Sequence, residues 1–221
     1  MFNLHRIVFV VPAIIVALTF HEYAHARVSY AFGDPTPREE GRMTLNPLRH
    51  LDIVGTLLLI IAGFGWAKPV PINPWYYGAK RKQKLVLVSA AGPVMNLLEA
   101  FVGAGLLALI YHFSSGESLV IGYFFSFLYY FVSINLTLAV FNLIPIPPLD
   151  GSKILGGLLP DRHMHIAFSL EQYGFGILLL LVFIPDILGI LGLPRIDVLG
   201  IIISTPANWM MNGLFRLFGI F

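Results

Sequence analysis

Residues 7–32 read IVFVVPAIIVALTFHEYAHARVSYAF. A run of this length is enough for a tilted transmembrane helix, since about 20 apolar residues cross the hydrocarbon core. Its one charged cluster, His21-Glu22 with His25 and Arg27, falls in the second half. Arg6, the run Ile7–Phe20 and the triplet Ala24-His25-Ala26 also imitate a secretory signal with its cleavage site. The helical pattern carries on past Ala26 to Phe32, which favours a retained span.

The remaining composition agrees with a lipid environment. Of 221 residues, 57% are hydrophobic and 12% charged, against about 25% charged in soluble domains. The mean hydropathy is +0.80. So few charges cannot cover a water-facing surface, so most of the outside faces the bilayer. A soluble enzyme and a disordered tail are excluded. The net charge of +2 is too small to point to nucleic acid or another polyanion. Cysteine is absent, so any metal must be held by His, Asp or Glu.

Further spans are expected at Leu85–Phe113, Leu119–Ile144 and Ile166–Ile184, with Ile196–Phe221 either a last span or an interfacial helix. The expected architecture is an all-α polytopic membrane protein of about five to six transmembrane helices in one domain, residues 1–221. Ile53–Trp66 is too short to cross. Arg38, Arg42 and Arg49 precede it, and Lys68, Lys80, Arg81, Lys82 and Lys84 follow, so both flanks read as cytoplasmic. A segment that begins and ends on one side is re-entrant, and such backbone needs protein or a water-filled cavity around it. The turn 114–118 carries Glu117 and no Lys or Arg, so it reads as external.

His21-Glu22-Tyr23-Ala24-His25 is H-E-x-x-H within a helix. Spacing i, i+4 puts both imidazoles on one face, where they can share a Zn²⁺, with Glu22 beside them to take a proton from an activated water. Ionisable residues inside a span are costly and functional by default. A catalytic zinc wants a third protein ligand. Asp150, after the proline-rich run Asn142-Leu-Ile-Pro-Ile-Pro-Pro-Leu, is the first choice, and mid-span Glu99 is the second. His163 and His165 lie in a polar connector with Asp161 and Arg162 and read as solvated.

Four segments together resemble the site-2 protease family of intramembrane zinc metalloproteases. His21-Glu22-x-x-His25 matches its zinc and base motif. Ala91-Gly92-Pro93-Val94-Met95-Asn96 is similar to its G-P-x-x-N motif, and Asn142 to Gly151 matches N-x-x-P-x-P-x-L-D-G. Gly65-Trp66-Ala67-Lys68-Pro69-Val70 resembles the loop after the catalytic helix in compact members. The resemblance implies one zinc per chain on His21, His25 and Asp150, with Glu22 as general base. It implies that Asn96 and Asn142 position the substrate backbone or the oxyanion. It also implies a prokaryotic plasma-membrane location, a site reached by water from the cytoplasm, and transmembrane proteins or signal-peptide remnants as substrates. The catalytic core then covers about 7–158 and the C-terminal helices about 166–221, with no stretch left over for a PDZ-like or CBS-like domain. Ser152 stands where many relatives have a second glycine.

Lys68–Pro74 reads as an extended segment with prolines at 69 and 71. Alternate residues point their N–H groups to the same edge, so the prolines weaken one edge and Val70 and Ile72 keep the other. That edge is expected to bind the substrate as an added strand. A divalent-metal transporter or channel would use the same intramembrane ligands, but it would not need a carboxylate between the two histidines as base.

Overall fold

The computed structural model describes residues 4–62, 65–114 and 118–220. Helix α1 covers Leu4–Ala31, followed by the single turn α2, Thr36–Glu39. The short α3 covers Ile53–Ala62, and α4 and α5 cover Arg81–Phe113 and Leu119–Leu143. Then come α6 at Asp150–Leu158, α7 at Met164–Ile190 and α8 at Val198–Leu217. Among the described residues, five helices are long and apolar enough to cross a membrane: α1, α4, α5, α7 and α8. The final segment, ambiguous from sequence, is thus a full-length helix, and Asp197 starts it by accepting a hydrogen bond from the Gly200 N–H at 2.7 Å.

Helix α4 is the hub of the bundle, packed against α1, α5 and α6. Its face Ala100, Ala104, Leu107 and Ala108 is buried against Leu128, Val132 and Leu136 of α5 and Phe215 of α8. Small residues at helical spacing let the backbones approach closely, which is how membrane helices gain packing where lipid supplies no hydrophobic drive.

The segment around α3 leaves and returns at one place. Leu51 pairs with Ala67 in an antiparallel bridge, and the Lys68 N–H donates to the His50 carbonyl at 2.8 Å. The ends therefore lie side by side, as a re-entrant segment requires; residues 63–64, and 115–117 with Glu117, lie outside the described residues. The stretch expected to be extended as far as Pro74 forms no strand among the described residues: it has only this isolated bridge at its start, and Pro74 already begins a 3-10 helix, Pro74–Lys80. The reason is that side chains take up its polar atoms. Arg42, buried and counted at first only as a topology marker, donates to the carbonyls of Lys68 at 2.5 Å and Pro69 at 3.0 Å.

Asp34 holds the far end of this stretch. Its carboxylate accepts from Ser29 Oγ at 2.7 Å, from the Asn73 N–H at 2.7 Å and from the Thr36 N–H at 3.0 Å. Burial alone would raise its pKa, but the hydrogen bonds from Thr36, Asn73 and Ser29 outweigh that and hold the carboxyl below its ordinary range. A depressed carboxyl stabilises the fold above its unfolded pKa of about 3.9 and loses that contribution as pH falls through the folded value. Thermal unfolding in detergent should therefore shift down between about pH 5 and pH 3, and the Asp34→Asn variant should shift less. Equal shifts would remove Asp34 from the effect.

Candidate active site

The helical period of α1 brings His21 and His25 to one face, with ring centroids 4.7 Å apart. Asp150 reaches them from the first turn of α6. That approach depends on Gly151, where any Cβ would run into the carbonyls of Leu143 and Ile144 at the end of α5. Only a bare glycine lets the chain double back so tightly after the prolines. His21 Nε2 lies 3.2 Å and His25 Nε2 3.1 Å from Asp150 Oδ2, and the two Nε2 atoms are 3.1 Å apart. Among the described residues this trio is the grouping of His, Asp and Glu that can hold a metal. All three residues are buried.

The outer nitrogens decide what the triangle is for. His25 Nδ1–H donates to the Val88 carbonyl at 2.7 Å. His21 Nδ1–H donates to Asn96 Oδ1 at 2.6 Å. A neutral imidazole has one N–H, so both Nε2 atoms present lone pairs inward, beside a carboxylate oxygen. With both imidazoles in that neutral form, three lone pairs converge within 3.2 Å and repel unless a cation sits between them. Tetrahedral zinc with bonds of about 2.0–2.1 Å sets its ligands about 3.3 Å apart, so the residues fit the ion in both chemistry and spacing.

Gly92 forms one wall of this site. A Cβ there would meet His25 Nε2 and lie 2.5 Å from His21 Nε2, in the space where the lone pairs converge. The Gly92→Ala variant should lose zinc by about tenfold in affinity or more, the scale of damage to a ligand's support. Chelator competition on the purified protein measures it, and unchanged affinity would refute this account of the glycine.

Glu22 is buried and lines the same cavity as the three ligands. Its Oε2 accepts a hydrogen bond from the Val70 N–H at 2.9 Å. That N–H, expected to face a substrate, is thus committed to the glutamate. Ile72 also lines the cavity, and its N–H bonds to no other described residue. Asn142 lines the cavity as well, its Nδ2 donating to the Leu138 carbonyl of its own helix at 3.1 Å. Asn96 is fully buried beneath His21 and does not line the cavity, so its visible partners are protein groups, not space for a substrate. Glu99 is buried elsewhere in α4 with Oε2 unpartnered, and His163 and His165 also stand apart from the trio.

Asn135 was not singled out from sequence. It is fully buried in α5 and accepts from Asn96 Nδ2 at 2.8 Å. The available signal was a carboxamide in the middle of a mainly apolar span. The cavity itself measures 1350 Å³ and runs between α1, α5, the start of α8 and the stretch Gly65–Ile72. Apart from the site residues its walls are mainly Val, Ile, Leu and aromatic side chains, with Ser133 and Thr137 on α5.

The family model for Peptidase family M50 matches residues 104–184. The candidate zinc metalloprotease YwhC of Bacillus subtilis is 44% identical over 183 residues, covering 80% of this chain and 81% of the relative. The candidate zinc metalloprotease Rip2 of Mycolicibacterium smegmatis is 32% identical over 184 residues, covering 80% of this chain and 68% of the relative. A candidate zinc metalloprotease of Methanocaldococcus jannaschii is 33% identical over 157 residues, covering 69% of this chain and 73% of the relative. No solved structure matches the chain. An integral membrane bundle, a zinc-compatible trio and this likeness across four-fifths of two chains agree, and the protein belongs to peptidase family M50, the site-2 protease family of zinc metalloproteases.

Proposed function

We propose that the protein hydrolyses peptide bonds within or next to transmembrane segments of other membrane proteins, from a cytoplasm-facing site in a prokaryotic plasma membrane. The observation that carries this reading is the convergence of three lone pairs beside Glu22 in one cavity. Depth supports it. His21 lies ten residues before the end of the span Ile7–Ala31, or about 15 Å at 1.5 Å per residue, near the middle of a hydrocarbon core of about 30 Å. Size supports it too. A volume of 1350 Å³ exceeds the roughly 300–1,000 Å³ of small-molecule sites and suits a polypeptide.

His21, His25 and Asp150 would hold a zinc ion, which would supply Lewis acidity toward water and the scissile carbonyl. Glu22 accepts the proton of the attacking water and passes it to the leaving nitrogen. The Val70 N–H holds Glu22 Oε2 in place. Asn142 lines the cavity, and the Nδ2 hydrogen not given to Leu138 would be its donor to the substrate backbone. Helical amides are shielded by their own hydrogen bonds, so the substrate must unwind and find new partners. Ile72 offers one such partner at the cavity edge, with transmembrane segments or signal-peptide remnants as the chains that would use it.

The test is cleavage of a single-pass model substrate by the purified protein in liposomes, with zinc counted by mass spectrometry. About one zinc per chain and chelator-sensitive cleavage are expected; a metal-free, active protein would overturn the reading. Ile72→Pro should lower cleavage about tenfold, the scale of one lost backbone hydrogen bond, with zinc unchanged. Val70→Pro is the poorer test, because it also strips Glu22 of its partner. Full cleavage by Ile72→Pro would sink the edge-pairing idea.

A further inference from the structure

The two histidines are oriented in different ways. His25 Nδ1–H meets a backbone carbonyl, Val88, which can only accept, so one contact fixes its tautomer. His21 Nδ1–H meets a carboxamide, Asn96, which presents an acceptor one way round and a donor the other. With Asn96 reversed, an NH₂ would face Nδ1 and the ring would carry its hydrogen on Nε2, aimed at His25 and Asp150. The orientation of Asn96 therefore governs whether His21 offers a lone pair at all.

Asn96 is locked from further out. The Phe131 carbonyl can only accept, and Asn135 Nδ2 donates to it at 3.0 Å. Asn135 Oδ1 is thereby turned toward Asn96 and accepts from its Nδ2 at 2.8 Å. The same Nδ2 also points at the Ala17 carbonyl at 3.4 Å. Asn96 Oδ1 is left for His21 at 2.6 Å. Both carboxamides are fully buried, so reversing either one leaves polar atoms unpaired where solvent does not reach.

We infer that Asn135 is a positioning residue: it fixes the Asn96 carboxamide, and through it the tautomer that leaves His21 Nε2 bare for a metal. The inference rests on the zinc reading of the site. It goes beyond that reading by assigning a function to a residue on α5 that touches none of the ligands.

A double-mutant cycle on the full-length protein tests it, reading zinc affinity by chelator competition and the visible absorption of the cobalt-loaded form. Asn135→Leu removes the lock, and zinc affinity should fall about tenfold or more, as for other outer partners of a ligand histidine. In an Asn96→Asp background the carboxylate accepts from His21 whichever way it turns. There Asn135→Leu should change affinity by less than about threefold. A role confined to helix packing predicts the same loss in both backgrounds. Equal losses, or no loss beside native Asn96, overturn the inference while wild-type zinc stays normal. Zinc-free wild-type protein would instead overturn the metal reading itself.

Where Asn135→Leu does not fold, Asn135→Asp keeps the test sharp. Ionised or protonated, that side chain still presents an acceptor to Asn96 Nδ2, so affinity within about threefold of wild type is expected. A tenfold loss in that variant would overturn the inference.

Discussion

Glu22→Gln should abolish turnover while leaving zinc in place. The glutamine oxygen can still accept from the Val70 N–H, so the loop contact survives. None of the three metal donors is altered, and zinc content should stay near one per chain. What is lost is a group that takes a proton from water and returns it to the leaving amine. General acid–base groups contribute about 10²–10⁴-fold, and a loss in that range is expected. Cleavage of the liposome substrate and metal analysis on one preparation give both numbers. Turnover within a few-fold of wild type, with zinc bound, would take Glu22 out of the proton path and revive a metal-passage role for the site.

Asp150→Ala should empty the site. It removes the only anion among the three donors and leaves two neutral imidazoles, both on α1. Four-coordinate zinc in a protein needs at least three protein ligands to resist chelators, so zinc should fall from about one per chain to a small fraction after mild chelator dialysis. Activity should fall with it. Glu99→Gln is the informative partner, because Glu99 was the rival ligand by sequence and lies outside the trio. It should keep its zinc. Full zinc in Asp150→Ala would mean that the third ligand lies elsewhere.

The parts of the site that could be read from sequence were those set by local geometry or by motif. The i, i+4 spacing of His21 and His25 needs only the helical period, and a mid-span Glu22 announces itself by its cost in lipid. Asp150 was placed by its motif and by the prolines ahead of it, but the tight return that Gly151 allows depends on the end of α5, which no local pattern encodes. Asn96 was recognised, yet its visible partners are His21 and Asn135. The register between α4 and α5 is a tertiary fact, so that contact could not be read from one strip of sequence, and the carboxamide of Asn135 alone named no partner. Arg42 shows the same limit from the other side. Its charge was read as a flank of the re-entrant segment, but nothing nearby in sequence foretold a buried guanidinium bound to carbonyls 26 and 27 residues later.

The stretch from Lys68 to Asn73 is held at Arg42, at Glu22 and at Asp34. A strip fastened at these points, and at the His50 carbonyl through the Lys68 N–H, cannot slide by a residue pair without breaking all of them. A chain that pairs with the Ile72 N–H is therefore measured against a fixed ruler, with the His21, His25 and Asp150 trio at a constant offset from Ile72. Cleavage should yield one dominant new terminus, not a ladder of neighbouring cuts. Moving a substrate's unwinding point by two residues should move the terminus by two.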